Sequence, residues 1–372
     1  MEVVFFKGER LNRPQKYMKT KGMILISASV LFFAGCTLTG GGGTDGGVFR
    51  SDDGGKTFSP KVAIDQNKNI STVDGLSLVV DPTNNGIVYL GTKSTGVFKS
   101  ENAGDSWKQL QVAPTMPTKI YTLAIDPRNP NVLFATAVIG GRGKIVRSED
   151  AGATWQEIYS EPTTTGIALS LAINPQKPEN IFAGTDQGQI IFSEDSGNTW
   201  RNLFWAEKGQ AVYKIAIDSV DPNLAYFVLF QSGVLRTTDG GQTFQELNRH
   251  AKSDTFSFSE KLNGAVSLKT DPQRGGWVYV GDSEGLLRSQ DKGENWEVVK
   301  TLNRPSELNI RSIAINPQNS DEIVCTVAQE FYKSIDGGVN WLPVQFKVNR
   351  TLEVVEYNPQ NPAQIFVVMN QR

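Results

Sequence analysis

The sequence predicts an all-β protein, a seven-bladed β-propeller of four-stranded antiparallel blades, and three observations support that prediction. A short turn motif occurs seven times at nearly regular spacing. Each repeat also contains short apolar segments rich in β-branched residues, which favour strands. Finally, the chain begins and ends with complementary halves of one repeat.

The turn follows the pattern S/T-x-D/N-x-G-x-T/S/N-W/F. Successive copies start 49, 48, 45, 44, 52 and 45 residues apart, which is the period of repeats that each form one sheet. The copies begin at Ser51, Ser100, Ser148, Ser193, Thr237, Ser289 and Ser334.

Each position of the turn has a physical role. The hydroxyl and the carboxylate or amide two residues later can accept backbone N–H groups, and the invariant glycine allows a positive φ. Burial of the closing aromatic ring contributes about 1.5–3 kcal/mol, against about 0.5–1.5 kcal/mol for a turn hydrogen bond. We therefore interpret the acidic or amide position as structural; it is filled by Asp53, Asn102, Asp150, Asp195, Asp239, Asp291 and Asp336.

The segments between the turns predict four strands, A to D, in each repeat. Strand A ends in Asp or Asn, usually followed by Pro, as in LAIDP from Leu123. Strand B follows, as in VLFATA from Val132, and strand C directly precedes the turn, as in GVFRS at 47–51. The turn then joins strand C to strand D.

The two ends predict how the ring closes. Residues 47–63 supply strands C and D without A and B, and residues 352–370 supply A and B without C and D. Pairing them completes a seventh blade and removes the free sheet edges that favour aggregation.

The turn resembles the Asp-box, or BNR repeat, of sialidases, sortilin-type (Vps10) receptors, xyloglucanase-type glycosidases and photosystem II assembly factors. The resemblance covers residues 47–372. It implies a propeller whose boxes lie at the periphery, away from a ligand site, and it leaves the activity open. The sialidase Phe-Arg-Ile-Pro signature is missing from this sequence.

Residues 1–36 predict a leader with an export signal, with either Met1 or Met18 as the start. Two lysines precede a twelve-residue apolar run, too short to span a membrane comfortably. The following Phe33-Ala34-Gly35-Cys36 resembles a bacterial lipobox, which implies lipidation of Cys36 and anchoring to a bacterial cell-envelope membrane. An ordinary secretory signal is the alternative. Residues 37–46 form a glycine-rich tether before the propeller at 47–372.

Composition excludes several function classes. Without residues 1–36 the formal net charge is about −6, which argues against nucleic acid as a partner. The sequence has one histidine, His250, and outside the leader one cysteine, Cys325. We therefore expect no metal, no cofactor and no Ser-His-Asp triad. We also expect a monomer.

Carboxylates leave one enzymatic alternative open. Glycoside hydrolysis needs a pair of acids at a set separation. Asp186, Asp282 and Glu284 fall in loops between strands B and C, where they could meet. The alternative function is therefore carbohydrate binding or hydrolysis.

The D–A loops differ from repeat to repeat, and irregular loops on a rigid scaffold often carry function. Together with the start of strand A they offer cationic and aromatic side chains that could attract an acidic partner. Lys214 and Lys269 also fall on the innermost strands. The candidate binding residues are Trp205, Lys208, Arg249, His250, Lys252, Phe256, Phe258, Arg304, Arg311 and Arg350.

The function predicted from the sequence is a non-catalytic, membrane-tethered extracytoplasmic propeller that binds a protein or peptide partner. It would act as an assembly factor or receptor-like scaffold.

Overall fold

The computed structural model describes residues 45–113, 118–162, 166–206, 209–247, 262–282, 285–299 and 309–371. These residues all belong to one compact unit. The expected signal, Cys36 and most of the tether lie outside the described residues. Within the described ranges, no helix is long and apolar enough to cross a membrane.

Seven four-stranded antiparallel sheets form the ring, as predicted. Blades 1 to 6 each contain four consecutive strands, and blade 7 combines the last two strands, on the inside, with the first two, on the outside. The innermost strands (A) are β3 (Gly75–Val80), β7 (Thr118–Ile125), β11 (Ala168–Ile173), β15 (Val212–Ile217), β19 (Ser267–Thr270), β23 (Ile310–Ile315) and β27 (Thr351–Tyr357). The second strands (B) are β4 (Val88–Thr92), β8 (Leu133–Ile139), β12 (Ile181–Thr185), β16 (Ala225–Leu229), β20 (Val278–Asp282), β24 (Ile323–Val327) and β28 (Ile365–Asn370). The third strands (C) are β5 (Val97–Ser100), β9 (Arg142–Ser148), β13 (Gln189–Ser193), β17 (Gly233–Thr237), β21 (Gly285–Ser289), β25 (Glu330–Ser334) and β1 (Val48–Ser51). The outermost strands (D) are β6 (Lys108–Leu110), β10 (Gln156–Ser160), β14 (Arg201–Trp205), β18 (Gln245–Leu247), β22 (Glu297–Val299), β26 (Leu342–Gln345) and β2 (Ser59–Pro60).

The chain ends close the ring in the predicted two-plus-two arrangement. Strand β1 pairs antiparallel with β28, with Phe49 opposite Val367 and Ser51 opposite Ile365. Strand β28 in turn pairs with β27. Residues about 300 positions apart in the sequence therefore share one sheet.

The seven turns have the predicted hydrogen bonds. In the third copy, the hydroxyl of Ser148 accepts the N–H of Gly152 at 2.8 Å, and Asp150 accepts the N–H of Thr154 at 2.8 Å. The invariant glycines all have φ between +87° and +94°. The acceptors thus fix the turn, and the glycine provides a backbone conformation that residues with a Cβ rarely adopt.

The core lies between neighbouring blades. Each hydrophobic cluster joins residues from two adjacent sheets, such as Phe182 of blade 3 and Phe227 of blade 4, whose ring centroids are 5.4 Å apart. Of the box aromatics, Phe58, Trp107, Trp296 and Trp341 are buried and the other three are half-buried. Packing between sheets therefore stabilises the ring.

A second link between blades was not recognised from the sequence. A basic side chain just before the box hydroxyl donates to a backbone carbonyl in the box of the next blade. Arg236, for example, donates to the carbonyl of Lys292 at 2.7 Å. The sequence signal for this link is an Arg or Lys that recurs directly before the box hydroxyl. The other four donors are Arg50, Arg147, Arg288 and Lys333.

Candidate functional site: the central channel and the variable-loop face

The innermost strands of all seven blades line a central channel with a cavity of about 420 Å³. Six of these strands contain a β-bulge near the start, for example between Val212 and Lys214 in β15 and between Ile310 and Ser312 in β23. Bulges change the direction of side chains and are common near functional sites. Here the bulged residues include Tyr213, Arg311 and Glu353.

At the position that follows the bulge, or at its equivalent in β19, which has no bulge, five blades use a hydroxyl to link to the next blade. Ser170 donates to the carbonyl of Val212 at 2.8 Å, and Ser267 donates to that of Ile310 at 2.7 Å. Five blades place Ser or Thr at this position: Ser77, Thr122, Ser170, Ser267 and Ser312. Blade 4 has Lys214 there instead, and blade 7 has Val354.

Blades 4 to 7 place charged side chains around the channel. The ammonium of Lys269 lies 3.0 Å from the Glu356 carboxylate, whereas the Arg311 guanidinium lies 3.7 Å from Glu353. Lys214 lines the channel with its side chain exposed, and desolvation by the surrounding strands lowers the pKa of its ammonium. The charges of Glu353 and Glu356 act in the opposite direction.

The connections between blades and the turns between strands B and C form one side of the ring, which we call the variable-loop face. A pocket of about 530 Å³ opens there between blades 3 and 4, and we call it the Trp205 pocket. Trp205 is 60% exposed at its rim, and Phe204 and Phe244 pack in its wall with ring centroids 5.1 Å apart. Its other lining residues are Ala206, Gln210, Leu229, Gln231, Ser232, Leu235, Glu246 and Asn263.

Three of the predicted binding residues lie in the described part, and they occupy separate places. Trp205 is at the pocket just defined, whereas Arg311 lines the channel. Arg350 forms an ion pair with Asp74, and both side chains are largely buried. The other seven lie outside the described residues: Lys208, Arg249, His250, Lys252, Phe256, Phe258 and Arg304.

The two candidate acids in the described part, Asp186 and Asp282, line neither the channel nor the Trp205 pocket. Asp186 accepts the N–H of Ile167 at 2.8 Å, Asp282 is buried at the end of β20, and Glu284 lies outside the described residues. Burial, followed by the charge of Asp186, raises the pKa of Glu161, a buried acid that sequence reasoning missed. In the described ranges no group of three or more His, Cys, Asp and Glu is placed to hold a metal ion.

The family model Sortilin-Vps10, described as sortilin, neurotensin receptor 3, matches residues 46–140 and 143–275. This chain belongs to the Sortilin-Vps10 family. The matched residues cover blades 1 to 4 and parts of blades 5 and 7. No curated protein sequence gives a significant match to this Sortilin-Vps10 chain.

Solved structures share the propeller fold with this Sortilin-Vps10 chain. The GH74 enzyme of Niastella koreensis is 17% identical with a TM-score of 0.63, over 80% of this chain and 51% of the enzyme. The GH74 xyloglucanase of Xanthomonas campestris is 14% identical with a TM-score of 0.63, over 80% of this chain and 51% of the enzyme. This chain therefore spans about half the length of these two enzymes. The structure of YCF48 bound to D1 peptide is 17% identical in sequence with a TM-score of 0.59, over 80% of this chain and 92% of YCF48. At these identities the likeness establishes the fold alone.

Proposed function

We propose that the protein is a non-catalytic scaffold that binds a protein or peptide partner through its variable-loop face. The observation that carries the proposal is the Trp205 pocket. An exposed aromatic ring beside a cavity of about 530 Å³, with Phe204 and Phe244 in its wall, is the kind of site that anchors a partner side chain. The solved YCF48 with a D1 peptide supports a peptide partner, and the GH74 enzymes support the carbohydrate alternative.

The proposal is tested by site-specific photocrosslinking. A photoreactive amino acid at position 205 is expected to crosslink one partner in the native envelope, while the same group at Leu342 is not. Leu342 is the matched control because its side chain is 66% exposed on the outermost strand of blade 6. Binding of the identified partner by purified protein is then expected to weaken at least tenfold in Trp205→Ala and to stay unchanged in Leu342→Ala.

Enzyme activity is measured in parallel on xyloglucan oligosaccharides and chromogenic glycosides. The scaffold proposal expects no turnover. Hydrolysis that disappears in Asp186→Asn, Asp282→Asn or Glu284→Gln would replace it with the glycosidase function.

We further propose that the protein is exported and tethered to a bacterial membrane through lipid on Cys36. The support is the lipobox-like sequence and the glycine-rich segment after it. Stable anchoring requires more than one acyl chain. The full-length chain is expected to incorporate labelled palmitate and to fractionate with membranes. Cys36→Ala is expected to lose both properties, and wild-type protein without label would contradict the tether.

A further inference from the structure

An acidic residue is enclosed at the junction of blades 2 and 3, at a position that is apolar in other blades. Glu161 directly follows strand β10, and only 3% of the residue is exposed. Its N–H donates to the carbonyl of Gly143 at 3.0 Å. The residues in the same register are Val112 in blade 1, Ala206 in blade 3 and Phe346 in blade 6, and all three are buried. Because those blades form the same sheet with an apolar side chain, the fold does not require an acid here.

The side chain of Glu161 faces the first residues of blade 3. Glu161 lies opposite Gly143 in the β9–β10 pair, so its side chain projects on the side where a Cβ of Gly143 would lie. Such a Cβ would be 2.6 Å from the Cα of Ile167. Ile167 donates its N–H to the carboxylate of Asp186 at 2.8 Å and accepts the N–H of Asp186 at 2.9 Å. Two carboxylates, one from each blade, therefore meet at this junction.

These two carboxylates lack a basic partner among the described residues. The Oε1 atom of Glu161 is buried and has no hydrogen-bond partner in the described part of the chain. Lys144, on the neighbouring strand, forms its ion pair with Glu157 instead. An enclosed carboxylate without a partner is costly, and a second negative charge beside it raises that cost. The pair is therefore suited to a cation.

The charge, the enclosure and the ligand atoms select the class of cation. Two carboxylates carry two negative charges, which one divalent ion neutralises. The enclosure of Glu161 favours a single ion over a bulky organic cation. The side-chain ligand atoms are all oxygen, which calcium and magnesium prefer. Calcium tolerates irregular coordination completed by water, whereas magnesium requires a nearly ideal octahedron.

We propose that Glu161 and Asp186 hold one calcium ion at the junction of blades 2 and 3, with water completing its coordination. The bound ion joins a side chain from each blade, so calcium stabilises the ring. The expectation of no metal rested on the scarcity of histidine and cysteine, whereas calcium needs only oxygen. This site is separate from the Trp205 pocket and does not depend on the proposed partner-binding function.

The test is calorimetric titration of the chelator-treated, purified protein with calcium chloride at constant ionic strength. The wild type is expected to bind one calcium ion with a Kd of about 1 mM or lower, as weak oxygen-only sites do. Magnesium is expected to bind at least about tenfold more weakly.

Terbium luminescence gives a second readout that reports the location of the ion. Terbium replaces calcium in oxygen sites and emits light when an excited aromatic ring lies close to it. Tyr159 lies two residues before Glu161 on the same side of the sheet, and its ring centroid is 5.9 Å from that of Trp200. Excitation of these rings is expected to produce terbium emission that calcium abolishes by displacement.

Three site variants and one control separate this site from nonspecific cation binding. Glu161→Gln and Asp186→Asn each remove one negative charge with little change in shape, and each should bind calcium at least about tenfold more weakly. Glu161→Val supplies the side chain that blade 1 has at this position, so it should fold and lose both calcium binding and terbium emission. Glu179→Gln, which changes an exposed acid in an A–B turn of blade 3, should match the wild type.

Far-UV circular dichroism and thermal unfolding confirm that each variant folds. Calcium is expected to raise the Tm of the wild type and to leave that of Glu161→Gln unchanged. The proposal is overturned if the folded wild type shows no saturable binding of calcium, or if Glu161→Gln or Asp186→Asn retains wild-type affinity. Equal affinity for magnesium would refute the choice of calcium. A wild type that binds no calcium but gains stability on acidification, when Glu161→Gln does not, would assign a shared proton to the pair instead.

Discussion

Arg350 was predicted to bind a partner protein or peptide. In the structure its side chain forms an ion pair within the chain. It lies just before β27 and forms an ion pair with Asp74, just before β3. Asp74 also accepts the N–H of Gln371 at 2.7 Å, and Arg350 donates to the carbonyl of Thr72 at 3.2 Å. These contacts connect the closing blade to blade 1. We therefore predict that Arg350→Ala destabilises the ring.

The magnitude follows from the burial of the pair. The side chains of Arg350 and Asp74 are 14% and 17% exposed. Removing one member of a fully buried pair costs about 3–5 kcal/mol, and an exposed pair contributes about 0.2–1 kcal/mol. At this burial we expect Arg350→Ala to lower the free energy of unfolding by about 2–3 kcal/mol. In a double-mutant cycle with Asp74→Ala, the coupling should be about 1–2 kcal/mol.

The assay is equilibrium unfolding in urea, followed both by tryptophan fluorescence and by far-UV circular dichroism. Coincident curves from the two probes are needed before a free energy is derived. The control is Lys292→Ala, which breaks a more exposed pair with Asp221 and should cost less than about 1 kcal/mol. A loss below about 0.5 kcal/mol in Arg350→Ala would refute the closure role. If such a stable variant also failed to bind the partner, that result would support the predicted binding role of Arg350.

Three further predictions concern the Asp-boxes. Gly338→Ala should lower the free energy of unfolding, measured by urea titration, by about 3 kcal/mol. The reason is that Gly338 has φ +91° and an added Cβ would lie 2.5 Å from Val299. Equal stability of the variant would contradict the requirement for glycine. Ser196→Gly should raise the free energy of unfolding by about 0.5 kcal/mol, because Ser196 has φ +59° where three of the other six boxes use glycine. A loss of stability would count against the backbone argument. Hydrogen bonds from Thr154, first from its side chain and then from its backbone, lower the pKa of Asp150 to about 2 from 3.8. The ionised carboxylate therefore stabilises the fold above about pH 4, and this contribution should disappear as the pH falls towards 2. Unfolding measured across that range should show a smaller pH slope in Asp150→Asn, and an unchanged slope would exclude this residue as a source.

Most of the architecture was predictable because each repeat carries its own local signals. The Gly of every box, such as Gly152, needs a positive φ that the turn pattern indicates directly. The strand pairs within a blade are close in sequence, and the half-repeats at 47–63 and 352–370 allowed only one pairing that left no open edge.

The candidate sites were less predictable, because they depend on which residues from different blades meet. Arg236 could be read as part of a strand, but its acceptor is a carbonyl in the next blade, 56 residues away. Arg311 and Arg350 were assigned to a binding face, and both have carboxylate neighbours from another part of the ring.

The sequence by itself determined the number of blades, the four strands in each and the closure by the chain ends. Hydrogen-bonding turns and alternating apolar residues specify these features over short distances. Only the tertiary structure decided that Lys214, Lys269 and Arg311 share one channel, and that Arg350 forms an ion pair with Asp74. Those facts depend on side-chain direction at the β-bulges and on packing between sheets, which bring together charges that lie far apart in the chain.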